Sequence, residues 1–185
     1  MTRRSVALSL VLVACASVPL DASAQDRVRL APWRYGAAGT IEMGASLGVG
    51  RIVDRAQLDV GPWIGWFVAD RTELSAIFWI HHVERSRAAR SYVTLLVEPS
   101  FHHRFNDSVL GFLGVGLGAS HVDAVGAGFA LAPRVGLKIV LGRAGVLVPA
   151  IQVLYSASRI VETNEGTVLA MYGAPSASFG YAIAW

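Results

Sequence analysis

The chain offers several groupings of residues whose types could do chemistry. His81-His82 and His102-His103 are paired imidazoles of the kind that ligate a metal. Ser120, His121 and Asp123 bring a hydroxyl nucleophile, a base and a carboxylate into one short stretch. Arg85, Arg87 and Arg90 crowd guanidinium forks that suit phosphate oxygens. Glu42, Glu98, Arg134 and Lys138 could pair as ions if the fold buries them together. Each chemistry demands its own geometry: zinc-type ligands sit about 2 Å from one ion, and a catalytic histidine must lie within about 3 Å of its serine. The question therefore passes to the elements that carry these residues.

From Gly39 onward, segments of about ten to fourteen residues alternate in polarity with period two, the period of a strand. Ile41, Met43, Ala45, Leu47 and Val49 oppose Thr40, Glu42, Gly44, Ser46 and Gly48. Leu58, Val60, Ile64, Trp66 and Val68 oppose Asp59, Gly61, Trp63, Gly65 and Phe67. Leu74, Ala76, Phe78 and Ile80 oppose Glu73, Ser75, Ile77, Trp79 and His81. The fourth segment sets Val93, Leu95, Val97 and Phe101 against Thr94, Glu98, Ser100 and His102. The fifth, Val109 to Ser120, sets Leu113, Val115 and Leu117 against Phe112 and glycines, and the sixth sets Val135, Leu137 and Ile139 against Arg134, Gly136 and Lys138. Val146 to Ser156 is apolar on both faces except for Gln152, which leaves its register open. Phe179, Tyr181, Ile183 and Trp185 alternate with small residues in the eighth. Tight turns are expected at Asp70, Asn106 to Ser108 and Gly142 to Gly145, and longer polar loops at Arg51 to Gln57, Arg85 to Arg90, His121 to Gly126 and Ser158 to Gly166.

Alternation alone also fits a soluble barrel. The distribution of charge separates the two cases, because Glu42, Asp59, Glu73, Glu98, Arg134 and Lys138 share a face with glycines and small residues while the other face is almost wholly apolar. A face that mixes glycine with charge is a poor water-facing surface and a suitable interior for eight strands, whose lumen is just wide enough for side chains to fill. The greasy face then meets lipid, where a basic side chain at mid-depth costs roughly 2–4 kcal/mol. Composition agrees: 54% of residues are hydrophobic and 16% charged, yet after the first two dozen residues no apolar run approaches the roughly 18–20 residues of a spanning helix. Trp66, Tyr155, Tyr172, Tyr181 and Trp185 fall near strand ends, where interfacial girdles form.

The terminal Phe179-Gly180-Tyr181-Ala182-Ile183-Ala184-Trp185 resembles the carboxy-terminal strand of bacterial outer-membrane proteins, and Gly61 to Leu74 resembles the second hairpin of small OmpA/OmpX-type barrels. The resemblance implies an all-β, eight-stranded antiparallel up-and-down transmembrane β-barrel in a Gram-negative outer membrane. It also implies that Phe179, Tyr181, Ile183 and Trp185 form the signal read by the barrel-assembly machinery. Arg3 and Arg4, the apolar Ser5 to Ala16 and the small residues Ala22-Ser23-Ala24 read as a signal peptide over 1–24, leaving a single barrel domain over 25–185. Leu12-Val13-Ala14-Cys15 also resembles a lipobox, which would make Cys15 an acylated first residue, although Pro19 ahead of Ala22-Ser23-Ala24 favours ordinary processing. The chain's pI of about 9.4 comes from scattered basic residues with no aromatic interleaving, so nucleic acid is not an expected partner.

Placed on these strands, the chemical groupings sort themselves. Centring the third hairpin on Arg85 to Arg90 sets His81 opposite about Thr94 and His102 opposite about Glu73, so the doublets lie at opposite ends and no metal or other cofactor is expected. Ser120 and His121 are neighbours in a strand and point to opposite faces. The lipid A deacylases and palmitoyltransferases are eight-stranded barrels that combine a histidine with a serine and a carboxylate, but the deacylase His-x-Ser pattern is missing here; a lipid A-modifying enzyme is thus the alternative, and a catalytic role is not expected. Arg85, Arg87 and Arg90 are expected to contact lipopolysaccharide phosphates. Glu42, Glu98, Arg134 and Lys138 are expected in one interior salt-bridge layer, resembling the charged cluster of OmpA-like barrels. The resulting expectation is a monomer with a structural or narrow-pore role in the envelope.

Overall fold

The computed structural model of the chain describes residues 34–52, 55–83, 90–122, 126–163 and 166–185, with side chains left undescribed at strand ends beside the loops and over 157–172. The leader expected over 1–24, with Cys15, lies outside them, as do Arg85, Arg87 and Asp123. The strands are β1 (Ile41–Ile52), β2 (Arg55–Ala69), β3 (Thr72–Val83), β4 (Arg90–Arg104), β5 (Val109–Val122), β6 (Gly126–Leu141), β7 (Gly145–Thr163) and β8 (Gly166–Ala184). Each pairs antiparallel with the next, and β8 pairs back on β1, closing a barrel of eight. At the seam Glu42 faces Ala184 and Gly50 faces Ser176, and Ile41 and Trp185 exchange both backbone hydrogen bonds, at 3.0 and 2.9 Å.

Period-two alternation dictates which side chains enter the lumen. Along β3 the inward positions Glu73, Ser75, Ile77, Trp79 and His81 are buried and the outward Leu74, Ala76, Phe78 and Ile80 are exposed. The apolar β7 resolves with Val146, Val148, Ala150, Gln152 and Leu154 inward and Ile151 and Tyr155 outward. The amide of Gln152 thereby avoids the greasy exterior. Bulky inward rings are matched by missing side chains. Trp79 lies against Gly61 and Trp63 against Gly44, where an added Cβ would come within 2.5 and 2.7 Å of ring atoms. This pairing of large with absent side chains lets a narrow lumen hold two indoles.

The loops are shorter than the sequence suggests. Only 53–54 separate β1 from β2 and only 164–165 separate β7 from β8, where longer polar segments were expected at Arg51 to Gln57 and Ser158 to Gly166. Polarity alternation stops in these stretches, but the ladder is made of backbone groups and continues without it. The third hairpin is correspondingly recentred: His81 faces Tyr92 and Trp79 faces Thr94, two residues away from the register expected for His81. The tight connections at Asp70–Arg71, Phe105–Ser108 and Gly142–Ala144 all lie at the end of the barrel that holds Ile41 and Trp185, called here the turn end; the opposite end is the loop end.

Before β1, residues 34–40 fold across the turn end. Tyr35 is 1% exposed there, among Phe67 and Leu110 of the buried cluster.

Candidate functional site

The lumen near the turn end contains a dense ion network built from inward-facing residues of four strands. Lys138 of β6 donates to Glu42 of β1 at 2.6 Å and to Glu73 of β3 at 2.5 Å. Arg134, two pleat repeats from Lys138 toward the loop end of β6, donates to Glu98 of β4 at 3.2 Å. Strand geometry explains the reach: β6 residues four apart both face inward, and the narrow lumen brings opposite walls within a side-chain length. The four residues expected from the sequence therefore line one space, but as two separate pairs, and Lys138 takes a second carboxylate not included in the expected layer. Glu73 holds Lys138, accepts from Ser75 Oγ at 2.7 Å and lies 3.0 Å from His102 Nε2. Its inward parity on β3 was legible, whereas its partner across the barrel was not.

Glu42 is saturated in the same way. Trp63 Nε1 donates to its Oε1 at 2.9 Å, and the Tyr35 hydroxyl donates to its Oε2. Burial, with the Glu42 and Glu73 carboxylates close by, pushes the Tyr35 hydroxyl well above its ordinary value of 10.0, so it remains the donor. Three aromatic faces surround the Lys138 ammonium: Phe67 at 5.4 Å, Phe112 at 5.8 Å and Tyr35 at 5.9 Å from its Nζ. Arg134 lies 5.0 Å from the Phe112 centroid. The space bounded by Glu42, Trp63, Glu73, Glu98, Arg134 and Lys138 is too tight for a water molecule. As arranged, the paired side chains fill the space between them.

A second, smaller polar cluster lies toward the loop end. Asp59 Oδ1 lies 2.8 Å from His81 Nδ1 and accepts from Gln57 Nε2 at 2.6 Å. Tyr92 stacks on His81 at 4.2 Å between centroids, and its hydroxyl donates to Gln57 Oε1 at 3.2 Å. Asp59 and His81 are both fully buried. The sequence placed both on the inward face without bringing them together, because their contact follows from the β2–β3 register, which sets Asp59 opposite His81.

The remaining groupings are separated by the fold. In each doublet one imidazole is buried in the lumen, His81 or His102, and the other, His82 or His103, is exposed outside. Among the described residues no three of His, Cys, Asp and Glu are placed to hold a metal ion. Ser120 is buried and accepts from Thr94 Oγ1 at 3.2 Å, whereas His121 points outward. Of the three arginines assigned to phosphate contact, Arg85 and Arg87 lie outside the described residues and Arg90 is described in backbone only, as the first residue of β4. Phe179, Tyr181, Ile183 and Trp185 all project outward from β8.

The outer wall is the complement of the lumen. Met43, Leu47, Leu95, Val97, Leu113, Val135, Ile151 and Phe179 are among the large apolar side chains exposed on it. Among the described strand residues it carries no Asp, Glu or Lys. Its ionisable residues Arg51, His82, His103 and His121 each occupy the last position but one of their strands. Trp66, Tyr155, Tyr181 and Trp185 also face outward; the side chain of Tyr172 lies outside the description.

No protein-family model and no curated protein matches the chain. Solved structures do. The N-terminal β-barrel domain of Pseudomonas aeruginosa OprF is similar at 14% identity and a TM-score of 0.56, over 80% of this chain and 98% of that one. Neisserial surface protein A (NspA) is similar at 11% identity and a TM-score of 0.57, over 78% and 95%. The outer membrane protein OprG from P. aeruginosa is similar at 10% identity and a TM-score of 0.51, over 81% and 97%. These likenesses establish the closed eight-stranded antiparallel barrel as this chain's fold.

Proposed function

We propose that the chain spans a Gram-negative outer membrane as a monomeric barrel of the OmpA/OmpX-like class and serves the envelope structurally, with its lumen stoppered by the Lys138–Glu42–Glu73 and Arg134–Glu98 pairs. The observation that carries this reading is the outer wall. Among the described residues its broad middle is aliphatic and aromatic, and its arginine and histidines stand next to strand ends. A water-facing barrel would have the reverse distribution, and exposed apolar patches beyond a few hundred Å² are rare on soluble monomers. A closed ladder is moreover one of the two backbone arrangements that satisfy every N–H and C=O in hydrocarbon. The outward Phe179, Tyr181, Ile183 and Trp185 are then available to the assembly machinery along one face of β8.

Gel migration tests the barrel: the folded protein should shift on boiling, and identical migration with and without boiling counts against it. Planar-bilayer recording tests the stopper. The native chain should be silent or nearly so, whereas Arg134→Ala, which frees Glu98, should conduct in brief events. Steady conductance from the native chain rejects a purely structural role.

A second reading has one observation in its favour. On the outer wall at the loop end, His82 Nδ1 and the Ser91 hydroxyl lie 3.1 Å apart, within the reach a base needs to activate a nucleophile. On this reading the barrel hydrolyses acyl esters of the surrounding lipid. Incubation with lipid A followed by mass spectrometry should then show acyl loss that Ser91→Ala abolishes, and unchanged lipid removes the reading.

A further inference from the structure

The described chain begins with a segment that the barrel's strand pairing does not require. Residues 34–40 leave β1 at the turn end and double back beneath the lumen. Two glycines make the reversal. Gly36 and Gly39 have φ of 86° and 89°, the left-handed region that side chains with a Cβ enter at a cost. At Gly36 an added Cβ would also lie 3.1 Å from Leu110 Cδ2. Backbone bonds from Ala37 to Arg34 at 3.0 Å and from Thr40 to Ala37 at 3.2 Å complete the fold of the segment.

Contacts to the β2–β3 turn, to the end of β4 and to the lumen wall fasten it. Arg71 N donates to Gly36 O at 2.8 Å, Ala38 N donates to Asp70 Oδ1 at 2.9 Å, and Arg104 Nη2 donates to Tyr35 O at 2.5 Å. The Tyr35 ring stands edge-on to Phe67, with centroids 5.5 Å apart and planes at 72°, and its hydroxyl enters the ion network at Glu42. None of the bonds to Tyr35, Gly36 or Ala38 belongs to a strand ladder. The ladder-like bonds of this segment, Gly39 N to Phe67 O and Phe67 N to Thr40 O, both 2.8 Å, stop at Gly39. Strand pairing among the described residues therefore ends at Gly39, and the Arg34–Ala38 side adds no rung to it.

We propose that Arg34–Ala38 is an intramolecular plug, hinged at Gly39, that seals the turn-end mouth of the lumen with the Tyr35 ring, and that its withdrawal opens the lower lumen to water as far as the Lys138–Glu42 contact. In place, the plug buries Phe67, Leu110 and the Glu42 carboxylate; withdrawn, it exposes them from the turn end alone. The proposal goes beyond the structural role above, since a permanently inert barrel needs no detachable seal.

The test uses the full chain with Cys15→Ser and a reporter thiol at Leu110→Cys, a buried lumen position packed directly against Gly36 on the turn-end side of the ion network. A small cationic methanethiosulfonate reagent reads access to the thiol, and the boiling-dependent gel shift separately reads the barrel. With the plug intact the thiol should react slowly, and Tyr35→Ala should accelerate labelling at least about tenfold while keeping the gel shift. Asp70→Ala combined with Arg104→Ala, which removes two of the side-chain fastenings and leaves the Tyr35 ring in the chain, should accelerate it in the same direction. Equal labelling rates in folded native and variant proteins overturn the proposal. Loss of the gel shift in both variants overturns it as well, because it would mean that the segment cannot leave without unmaking the barrel.

Discussion

Replacing Lys138 with methionine isolates what the ion network contributes. The ammonium is buried, 2.6 Å from Glu42 and 2.5 Å from Glu73, and both carboxylates are essentially inaccessible to solvent. Lys138→Met keeps most of the volume and the contact with Phe67 and Phe112 but leaves two carboxylates facing each other without a cation. Deleting one partner of a buried ion pair costs about 3–5 kcal/mol. Here one cation serves two anions, which argues for the top of that range; Tyr35 and Trp63 on Glu42, and Ser75 on Glu73, still donate and keep the loss from doubling. A destabilisation of about 5 kcal/mol lowers the folded-to-unfolded ratio by between three and four decades. Reversible urea unfolding in detergent micelles, followed by tryptophan emission with Trp63 beside the lesion, measures it. The triple variant Lys138→Met, Glu42→Gln, Glu73→Gln should recover most of the loss, because neutral amides in the same places no longer need a counter-charge. The reasoning is refuted if Lys138→Met alone lies within about 1 kcal/mol of the native protein, or if neutralising both glutamates gives no recovery.

Two further outcomes follow from the outer wall and from the plug. Leu95, 58% exposed in the middle of β4, should cost roughly 2–4 kcal/mol as Leu95→Arg when folding is measured in liposomes, whereas Ser91→Arg near the strand end should cost about 0–1 kcal/mol; equal costs at the two depths would remove the lipid-facing assignment. Tyr35 holds its proton to a higher pH in the folded chain than its ordinary value of 10.0, so the folded state binds the extra proton above that pH. Its contribution to stability is complete below pH 10 and is lost as pH rises beyond it. Native protein should therefore lose stability more steeply than Tyr35→Phe in alkaline urea titrations, and parallel curves would show that the hydroxyl is not held in the network.

Much of this was readable from residue order because strand parity is binary. Once Glu73, Ser75, Ile77, Trp79 and His81 share one side of β3, a narrow closed lumen leaves them nowhere else to go, and the outward Leu74, Ala76, Phe78 and Ile80 follow without further information. The layer containing Glu42, Glu98, Arg134 and Lys138 was legible for the same reason. Who touches whom across the lumen was not. That depends on the stagger between strands, and a two-residue error in centring one hairpin is enough to misplace His81 against Thr94 instead of Tyr92. Val146 to Ser156 resisted assignment because apolar side chains on both faces erase the parity signal. Loop limits at Ile52 and Thr163 were hidden because backbone pairing outlasts the alternation of side chains. Tyr35 was overlooked because it precedes the strand pattern, and only the closely spaced Gly36 and Gly39 mark the reversal that carries it back into the barrel.

The seam between β1 and β8 makes the fold indivisible. Ile41 and Trp185 grip each other at both N–H and C=O, yet nearly the whole described sequence lies between them. Until β8 arrives, β1 is a raw border that hydrocarbon cannot tolerate, so no shorter array of these strands is a membrane-worthy intermediate. The long wait for that contact also makes closure slow by topology alone. If the chain inserts as proposed above, insertion and completion are a single event, and a chain interrupted before Gly166 has no closed ladder in which to rest.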